Sequence, residues 1–586
     1  MERGHTITEG YGEAAVAYDA TRSSLWAWVT LERALYGVLF FMGLAVRLVG
    51  LGRAPLLADE LSTAMAALRA LQGALPGVTG YAPLLFNVQW LLFGLDSSVF
   101  TVRLLPALVG SLFVGLPWLL RGPLGRVGAL ATAAFLAFSP GWVYAGRTAD
   151  GALLSVALGA AALAVAWLYG RTGLPRDARA FALLLAAALT AGAAVYTLLT
   201  AAALLVAFWW RRATDAHREF FSASVRAGKR LNVPALFIVA LLAIASALWV
   251  NPGGIGATVH LAGSWVAGLW PGQTDLPWYH LLWVLASYEP LMLLLAGIGV
   301  YYGLRSGRGL DGGLMLWLVY ALLLGVVLGH RQPRWLVGTL LPLTLLAGRG
   351  VQGLYDTRGT LTRRDLVVAL VGLVVLGYIY LHVTLYLRFM TLGTLYFAGY
   401  ALGIVILGLI GYGVWVYAHG ASRIALLLVG LVLMIPTVRG TVALAHDRAR
   451  DPWEPLLHEP SAAALADLEP LVRSLSLQLV GDERAIDILY EEGLGPQVAW
   501  ALRQFPNARA TVAVGIQPEA TMLITGQRDE EEQPLGYAGR SLALMAMPTT
   551  EGETWYNRLW WMLTRRNMPP AEREFLWIWV RLPSNG

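Results

Sequence analysis

The chain has 586 residues, is 57% hydrophobic, carries a formal charge of +6 and contains no cysteine. Its mean hydropathy is +0.59 and its pI is near 9.4. The missing cysteine rules out a disulfide framework, a thiolate nucleophile or a Cys-ligated metal. The long apolar runs rule out an ordinary soluble enzyme, because a run of roughly 20 such residues crosses a bilayer as a helix. No nucleic-acid motif accompanies the positive charge, which basic loops at a membrane surface explain. The fold class predicted is a polytopic α-helical membrane protein.

Residues 1–33 are polar and mixed, with no cleavable signal, and read as a cytoplasmic segment before an uncleaved anchor. The first span covers Ala34 to Leu51. A loop of 52–97 follows, holding Leu56-Leu57-Ala58-Asp59-Glu60, a surface helix from Glu60 to Gln72, and a short interfacial helix from Pro83 to Phe93. Further spans are predicted at Phe100–Leu120, Leu124–Pro140, Gly151–Tyr169, Ala180–Val195, Thr197–Trp210 and Val233–Val250. Then come His280–Tyr302, Gly312–Leu328, Trp335–Ala347, Leu366–Leu387, Leu395–Tyr417 and Ile424–Val438. That makes about 13 transmembrane helices in 34–440, with Ala180–Trp210 read as a hairpin.

Charge tests that count. With thirteen spans and an inside N-terminus, one set of loops holds eighteen Arg and Lys residues and the opposite set only seven, among them Arg53, Arg103, Arg147, Arg331 and Arg334. The positive-inside rule makes the richer set cytoplasmic. The Asp59-Glu60 loop and the C-terminus then face outward, in a multi-pass protein of the cell (plasma) membrane.

After a linker over 441–460, residues 461–586 read as a small extracytoplasmic α/β domain. Strands are predicted at Ser476–Val480, Ala510–Val514, Thr521–Thr525 and Ser541–Met545, with a helix over Gly495–Phe505. Asp529-Glu-Glu-Glu532 reads as a solvated loop, and the aromatic-rich Trp555–Trp579 as packing on the membrane side.

The outward side collects the unusual polar groups. Asp59 and Glu60 are adjacent carboxylates at a membrane boundary, where ionisable groups are costly unless solvated or paired. Asp59 also suits the N-cap of the helix that follows. Arg147 and Asp150 sit where the chain re-enters the membrane; Asp150 suits a helix cap and Arg147 a headgroup contact. His330, Arg331 and Arg334 lie outside against the charge bias, and arginine forks suit phosphate. Trp335 beside them also allows simple interfacial anchoring. Carboxylates able to deprotonate a hydroxyl, together with arginines able to hold a departing phosphate, suit group transfer from a lipid phosphate.

These residues resemble the GT-C superfamily of membrane glycosyltransferases. The resemblance rests on Asp59-Glu60 after the first span, Tyr81-Ala-Pro83-Leu-Leu-Phe, Phe93-Gly94, Phe100-Thr-Val-Arg103-Leu-Leu-Pro106-Ala-Leu-Val-Gly110, and Ser139-Pro140 with Arg147-Thr-Ala-Asp150. It covers about Ala34 to Leu168 and returns faintly at Trp500-Ala-Leu-Arg-Gln-Phe505-Pro506. The branch it points to is that of protein mannosyltransferases and lipid A aminoarabinose transferases, nearest the "flippase activity-associated" membrane proteins. The resemblance implies a polyprenyl-phosphate sugar donor and a protein, lipid or glycan acceptor on the extracytoplasmic face. It makes Asp59 the catalytic carboxylate and Asp150 the second acidic position. Two departures stand out: Tyr81 occupies the region where the family often has a histidine, and no Asp-x-Asp pattern surrounds Asp150. No cofactor is fixed by the residues. A divalent ion such as Mg or Mn, where used, would fall to Asp59 and Asp150.

The function expected is therefore a glycosyltransferase with Asp59, Glu60 and Asp150 as catalytic residues. Arg147, His330, Arg331, Arg334 and Tyr81 would bind substrate and phosphate. The partners are the lipid-linked donor, the acceptor and membrane lipids, with no nucleic acid. The alternative is a non-enzymatic carrier or flippase accessory for lipid-linked sugars. The spans are mostly plain Leu/Ala/Val/Gly, which weighs against transport.

Overall fold

Helix α1 (Leu31–Leu48) carries the first apolar run, and the chain then turns through Pro55 into α2 (Ala58–Leu71) and α3 (Pro83–Phe93). The computed structural model describes residues 30–582 except 79, 213–231, 275, 358–362, 390, 416–417, 448–453, 457–462, 515–518, 527–533, 548–560 and 562–571. The acidic loop predicted over Asp529–Glu532 and most of 555–571 therefore lie outside the described residues. Proline at the first position of α3 has its φ preset for a helix start. Ser98 then opens α4 (Val99–Phe113) with a reciprocal cap: its hydroxyl accepts from the Thr101 amide, and the Thr101 hydroxyl accepts from the Ser98 amide.

Helices α5 (Arg126–Phe138), α6 (Pro140–Ala145), α7 (Ala152–Thr172), α8 (Pro175–Ala191) and α9 (Val195–Arg212) follow. The break expected near residue 196 is present at Gly192, but the two helices do not form a tight hairpin. Helix α8 packs along α7 and α10 (Val233–Ala245), whereas α9 packs on α7 and on α14 (Gly309–Val326). A close backbone approach accompanies the break: a Cβ on Gly151 would run into the Ala191 carbonyl oxygen.

Two differences from the sequence reading shape the site. No element is predicted between Val250 and His280, yet Gly253–Ala267 forms helix α11. Its Gly-Gly-Ile-Gly start has poor intrinsic propensity, so packing carries it. The span expected over His280–Tyr302 is two helices, α12 (His280–Tyr288) and α13 (Pro290–Ser306), meeting at 100°. Pro290 lacks an amide hydrogen and crowds the preceding turn, so the break falls at Glu289.

Helix α15 (Pro333–Asp356) extends well past the predicted Trp335–Ala347 and is buried from Trp335 through Gly350. Small residues let its neighbours close in. A Cβ on Gly350 would collide with the Leu295 carbonyl oxygen on α13. Helices α16 (Arg363–Phe389), α17 (Leu392–Trp415) and α18 (Ala418–Val442) follow. Five described helices are long and apolar enough to cross a bilayer, or six if the bent pair is one span. The count of thirteen is not reached on that criterion, because many of the apolar helices are short or bent.

The C-terminal part holds helix α19 (Leu468–Val480), strand β1 (Ile488–Glu491), helix α20 (Pro496–Ala501), and strands β2 (Ala508–Thr511), β3 (Met522–Thr525), β4 (Tyr537–Met547) and β5 (Glu572–Arg581). The sheet order is β2-β1-β3-β5-β4, parallel on the β2, β1, β3 side and antiparallel through β5 and β4. Ser476–Val480 is helical, not a strand. Its alternating residues fit a strand period, but Leu468, Val472 and Ser476 bury one helix face at spacings of four.

This domain docks on α2, the end of α3 and the turn that follows it. Trp500 lies 5.9 Å from the Phe93 ring. The Arg503 guanidinium stacks on Trp500, donates from Nε to the Ser97 carbonyl at 2.6 Å and from Nη1 to Glu469 at 3.0 Å. Arg503→Lys should cost about 1.5–3 kcal/mol, the size of a hydrogen bond to a charged group. A lowered thermal midpoint of the detergent-purified protein would register it, and an unchanged midpoint would show that the domain docks without this fork.

Candidate functional site

The adjacent carboxylates have opposite fates. Glu60 is fully buried, and its oxygens accept from Arg103 Nε at 2.7 Å and Nη2 at 2.5 Å, and from the amides of Ala149 and Leu57, both at 2.8 Å. The Leu57 bond is the back-reaching half of a helix start. Glu60 thus binds α2, α4 and the loop before α7 into one unit. Four hydrogen bonds on its two oxygens fit a structural role better than the catalytic one expected for it.

Asp59, one residue earlier, points elsewhere and is exposed. It is not the N-cap, since α2 begins at Ala58 with Leu57 in the cap position. Its Oδ1 faces Arg334 Nη1 at 3.6 Å. The two border a small cavity with Asp150, Glu60, Leu57, Tyr144, Thr148 and Pro333.

Asp150 is half-buried there, and its Oδ1 accepts from the amide of Ala152, the first residue of α7, at 2.9 Å, while Gly151 holds the N-cap position. Burial raises its pKa, opposed by that hydrogen bond; the charges of Asp59 and Glu60 add to the rise and Arg334 offsets part of it, leaving the carboxyl at about 7. The folded protein therefore holds this proton more firmly than the unfolded chain, so the group's stabilising contribution is full at low pH and is lost as pH rises through about 7. Asp150→Asn should flatten the fall in thermal midpoint between acid and mildly alkaline buffer. An unchanged pH dependence would remove Asp150 as its source.

The basic residues divide in the same way. Arg147 was expected to bind phosphate, but Nη1 donates to the carbonyls of Val46, Arg47 and Val49, and Nη2 to those of Gly50 and Ala445, at 2.8 to 3.0 Å. These are mostly the open carbonyls at the end of α1, which a cation satisfies. His330 is buried, with Nε2 at 2.9 Å from the Trp265 carbonyl and its ring stacked on Trp335. Burial lowers its pKa, the hydrogen bond to the Trp265 carbonyl opposes this, and the nearby Arg334 lowers it further; the net lowering weakens the ring as an anion clamp.

Arg331 donates to the Leu276 carbonyl at 2.9 Å. Tyr81 is buried against Phe86, and its hydroxyl accepts from Asn251 Nδ2 at 2.9 Å, which fastens the α2–α3 loop to the start of α11. Neither Tyr81 nor Arg331 lines the acidic cavity.

Arg334 remains. Besides the acidic cavity it lines a groove of about 330 Å³ between α11 and the start of α15, with His260, Ser264, Gly268, Gln332 and Trp335. Sequence reasoning missed three partners. Arg103 and Arg47 are buried in apolar helices, where an unexplained charge signals a partner. Arg103 serves Glu60, and Arg47 donates to the carbonyls of Gly43, Leu136, Ala137 and Trp142. Glu289, at the bend, accepts from the Ser139 hydroxyl at 2.5 Å and the Gly141 amide at 2.8 Å. Its signal was an acid followed by proline inside an apolar run.

Among the described residues no three His, Asp or Glu side chains gather as a metal site. The two carboxylates that a divalent ion would take, Asp59 and Asp150, stand beside Arg334, a cation that competes for the Asp59 oxygen it faces.

No family model matches the chain, and no curated protein does. Solved structures are similar along most of its length. ArnT from Cupriavidus metallidurans in the apo state aligns with a TM-score of 0.43 and 15% identity over 95% of this chain and 98% of that one. The same protein bound to undecaprenyl phosphate gives 0.49 and 15% over 94% and 98%. The archaeal oligosaccharyltransferase AglB from Archaeoglobus fulgidus, in complex with an inhibitory peptide and a dolichol-phosphate, gives 0.46 and 10% over 84% and 69%.

Proposed function

We propose that this chain is a membrane glycosyltransferase that moves a sugar from a polyprenyl-phosphate donor to a hydroxyl of a protein, lipid or glycan acceptor on the extracytoplasmic face. The observation that carries the reading is the meeting of exposed Asp59, Asp150 and Arg334 in one cavity, with Arg334 also lining the neighbouring groove. The loop charge bias read from the sequence supports placing that end of the bundle outside.

In this reading Asp59 takes the proton of the acceptor hydroxyl as its oxygen attacks the anomeric carbon from the face opposite the phosphate. The bond from that carbon to the phosphate oxygen breaks, and its electron pair leaves with the polyprenyl phosphate. Arg334 holds the charge that collects there. The sugar's configuration inverts, and the proton ends on Asp59. No step is routed through a metal.

The test uses purified protein and polyprenyl-phosphate sugars, with free polyprenyl phosphate followed over time. Undecaprenyl and dolichol carriers are the compounds to try first. Release that requires an acceptor supports the transferase. Binding without release in any condition would favour the carrier reading, and no binding at all would remove the phosphate site.

A further inference from the structure

We infer that Arg334 is an exchangeable partner: it holds Asp59 while the groove is empty and moves to the donor phosphate when the lipid binds, freeing Asp59 for the acceptor. The inference rests on the proposed donor site and adds an order of events to it.

Four observations carry it. Arg334 lines both the acidic cavity and the groove, so one side chain borders both compartments. Its contact with Asp59 is a loose 3.6 Å, with the two side chains 37% and 44% exposed. Its Nε is buried without a hydrogen-bond partner, so the guanidinium has unused donor capacity. The other two arginines considered for phosphate are tied to backbone carbonyls: Arg147 through both terminal nitrogens, and Arg331 through Nη1, with its Nε left without a partner as in Arg334.

Half-exposed ion pairs contribute little and are readily given up. A phosphate offers the fork two parallel charge-assisted bonds, and charge-assisted bidentate contacts are among the strong ones. The exchange is therefore downhill when the donor arrives. Before it, Arg334 stands against Asp59 Oδ1 and crowds an acceptor away from that oxygen. Afterwards Asp59 faces the acceptor side unpaired, so an acceptor hydroxyl is deprotonated only when a sugar is in place to receive it.

The exchange makes a prediction opposite to that of a simple additive binding site. If Asp59 competes with phosphate for Arg334, removing its charge should tighten binding of bare polyprenyl phosphate. The experiment is a double-mutant cycle with full-length, detergent-purified protein: wild type, Asp59→Asn, Arg334→Gln and the pair, each titrated with polyprenyl phosphate. Asp59→Asn should bind about 2- to 5-fold tighter than wild type, the range an exposed ion pair allows. In the Arg334→Gln background the same change should have no effect.

Equal tightening in both backgrounds would mean that Asp59 only repels the phosphate, and the exchange would be wrong. Unchanged or weaker binding by Asp59→Asn would overturn it as well. Wild type that fails to bind the lipid would bring down the donor site itself, a different result from either of those. Asp59→Ser and Arg334→Lys, checked for an unaltered elution profile, guard against reading misfolding as lost affinity.

Discussion

Asp59→Asn should slow sugar transfer by about 10²–10⁴-fold, the usual contribution of a positioned general base, while the protein melts as the wild type does. The substitution keeps the size and shape of the side chain and removes the charge and the proton affinity. Little else depends on Asp59. It caps no helix, its side chain is exposed, and its contact with Arg334 is loose. An exposed pair of this kind is worth about 0–1 kcal/mol, so a stability change cannot account for a loss of that size. The measurement is the initial rate of polyprenyl phosphate release at saturating donor, beside a thermal midpoint on the same preparation. A rate within a few-fold of wild type would place the base elsewhere, and Asp150 would be the next group to examine.

What the sequence could and could not disclose follows from the range of each interaction. Helices α2 and α3 were legible because local signals set them: a proline at a helix start and short apolar runs between turn residues. The Ser476–Val480 segment was misread because five alternating residues satisfy a strand period as well as one face of a helix, and only the burial of Leu468 and Val472 decides. The bend at Glu289 was present as Glu-Pro within an apolar run but was subordinate to hydropathy over a longer window.

The site was half legible. Asp59 and Glu60 are equally acidic and adjacent, but neighbours on a helix project about 100° apart, so one can face the core while the other faces solvent. Which one turns inward depends on Arg103, 43 residues further along. The clue was available: an arginine inside an apolar helix needs an acid. Arg147 shows the limit, since its partners are backbone carbonyls that any sequence would supply. An outward arginine that binds phosphate and one that closes a helix end look the same until the chain is folded.

That distinction gives the second large effect. Glu60→Ala should destabilise the protein by about 3–5 kcal/mol, because it leaves the Arg103 guanidinium buried without its carboxylate. The paired side chains are 6% and 0% exposed, so water cannot take the missing partner's place. The amides of Leu57 and Ala149 would lose their acceptor too, loosening the first turn of α2 that carries Asp59. Arg103→Met should be comparably costly, since it strands the carboxylate.

The pair Glu60→Leu with Arg103→Met is the informative variant. With both charges gone it should regain much of the loss, as apolar replacements of buried ion pairs often do. Recovery should stay incomplete, because the carbonyls of Leu51, Ala54 and Pro55 also accept from Arg103 and would be left open. Thermal midpoints of the four proteins decide the matter. If Glu60→Ala melts like wild type yet fails to transfer sugar, Glu60 acts on substrate after all, and the division of labour between the two carboxylates is wrong. If it melts early and the double variant recovers both stability and a measurable fraction of turnover, Glu60 and Arg103 hold the loop and Asp59 does the chemistry.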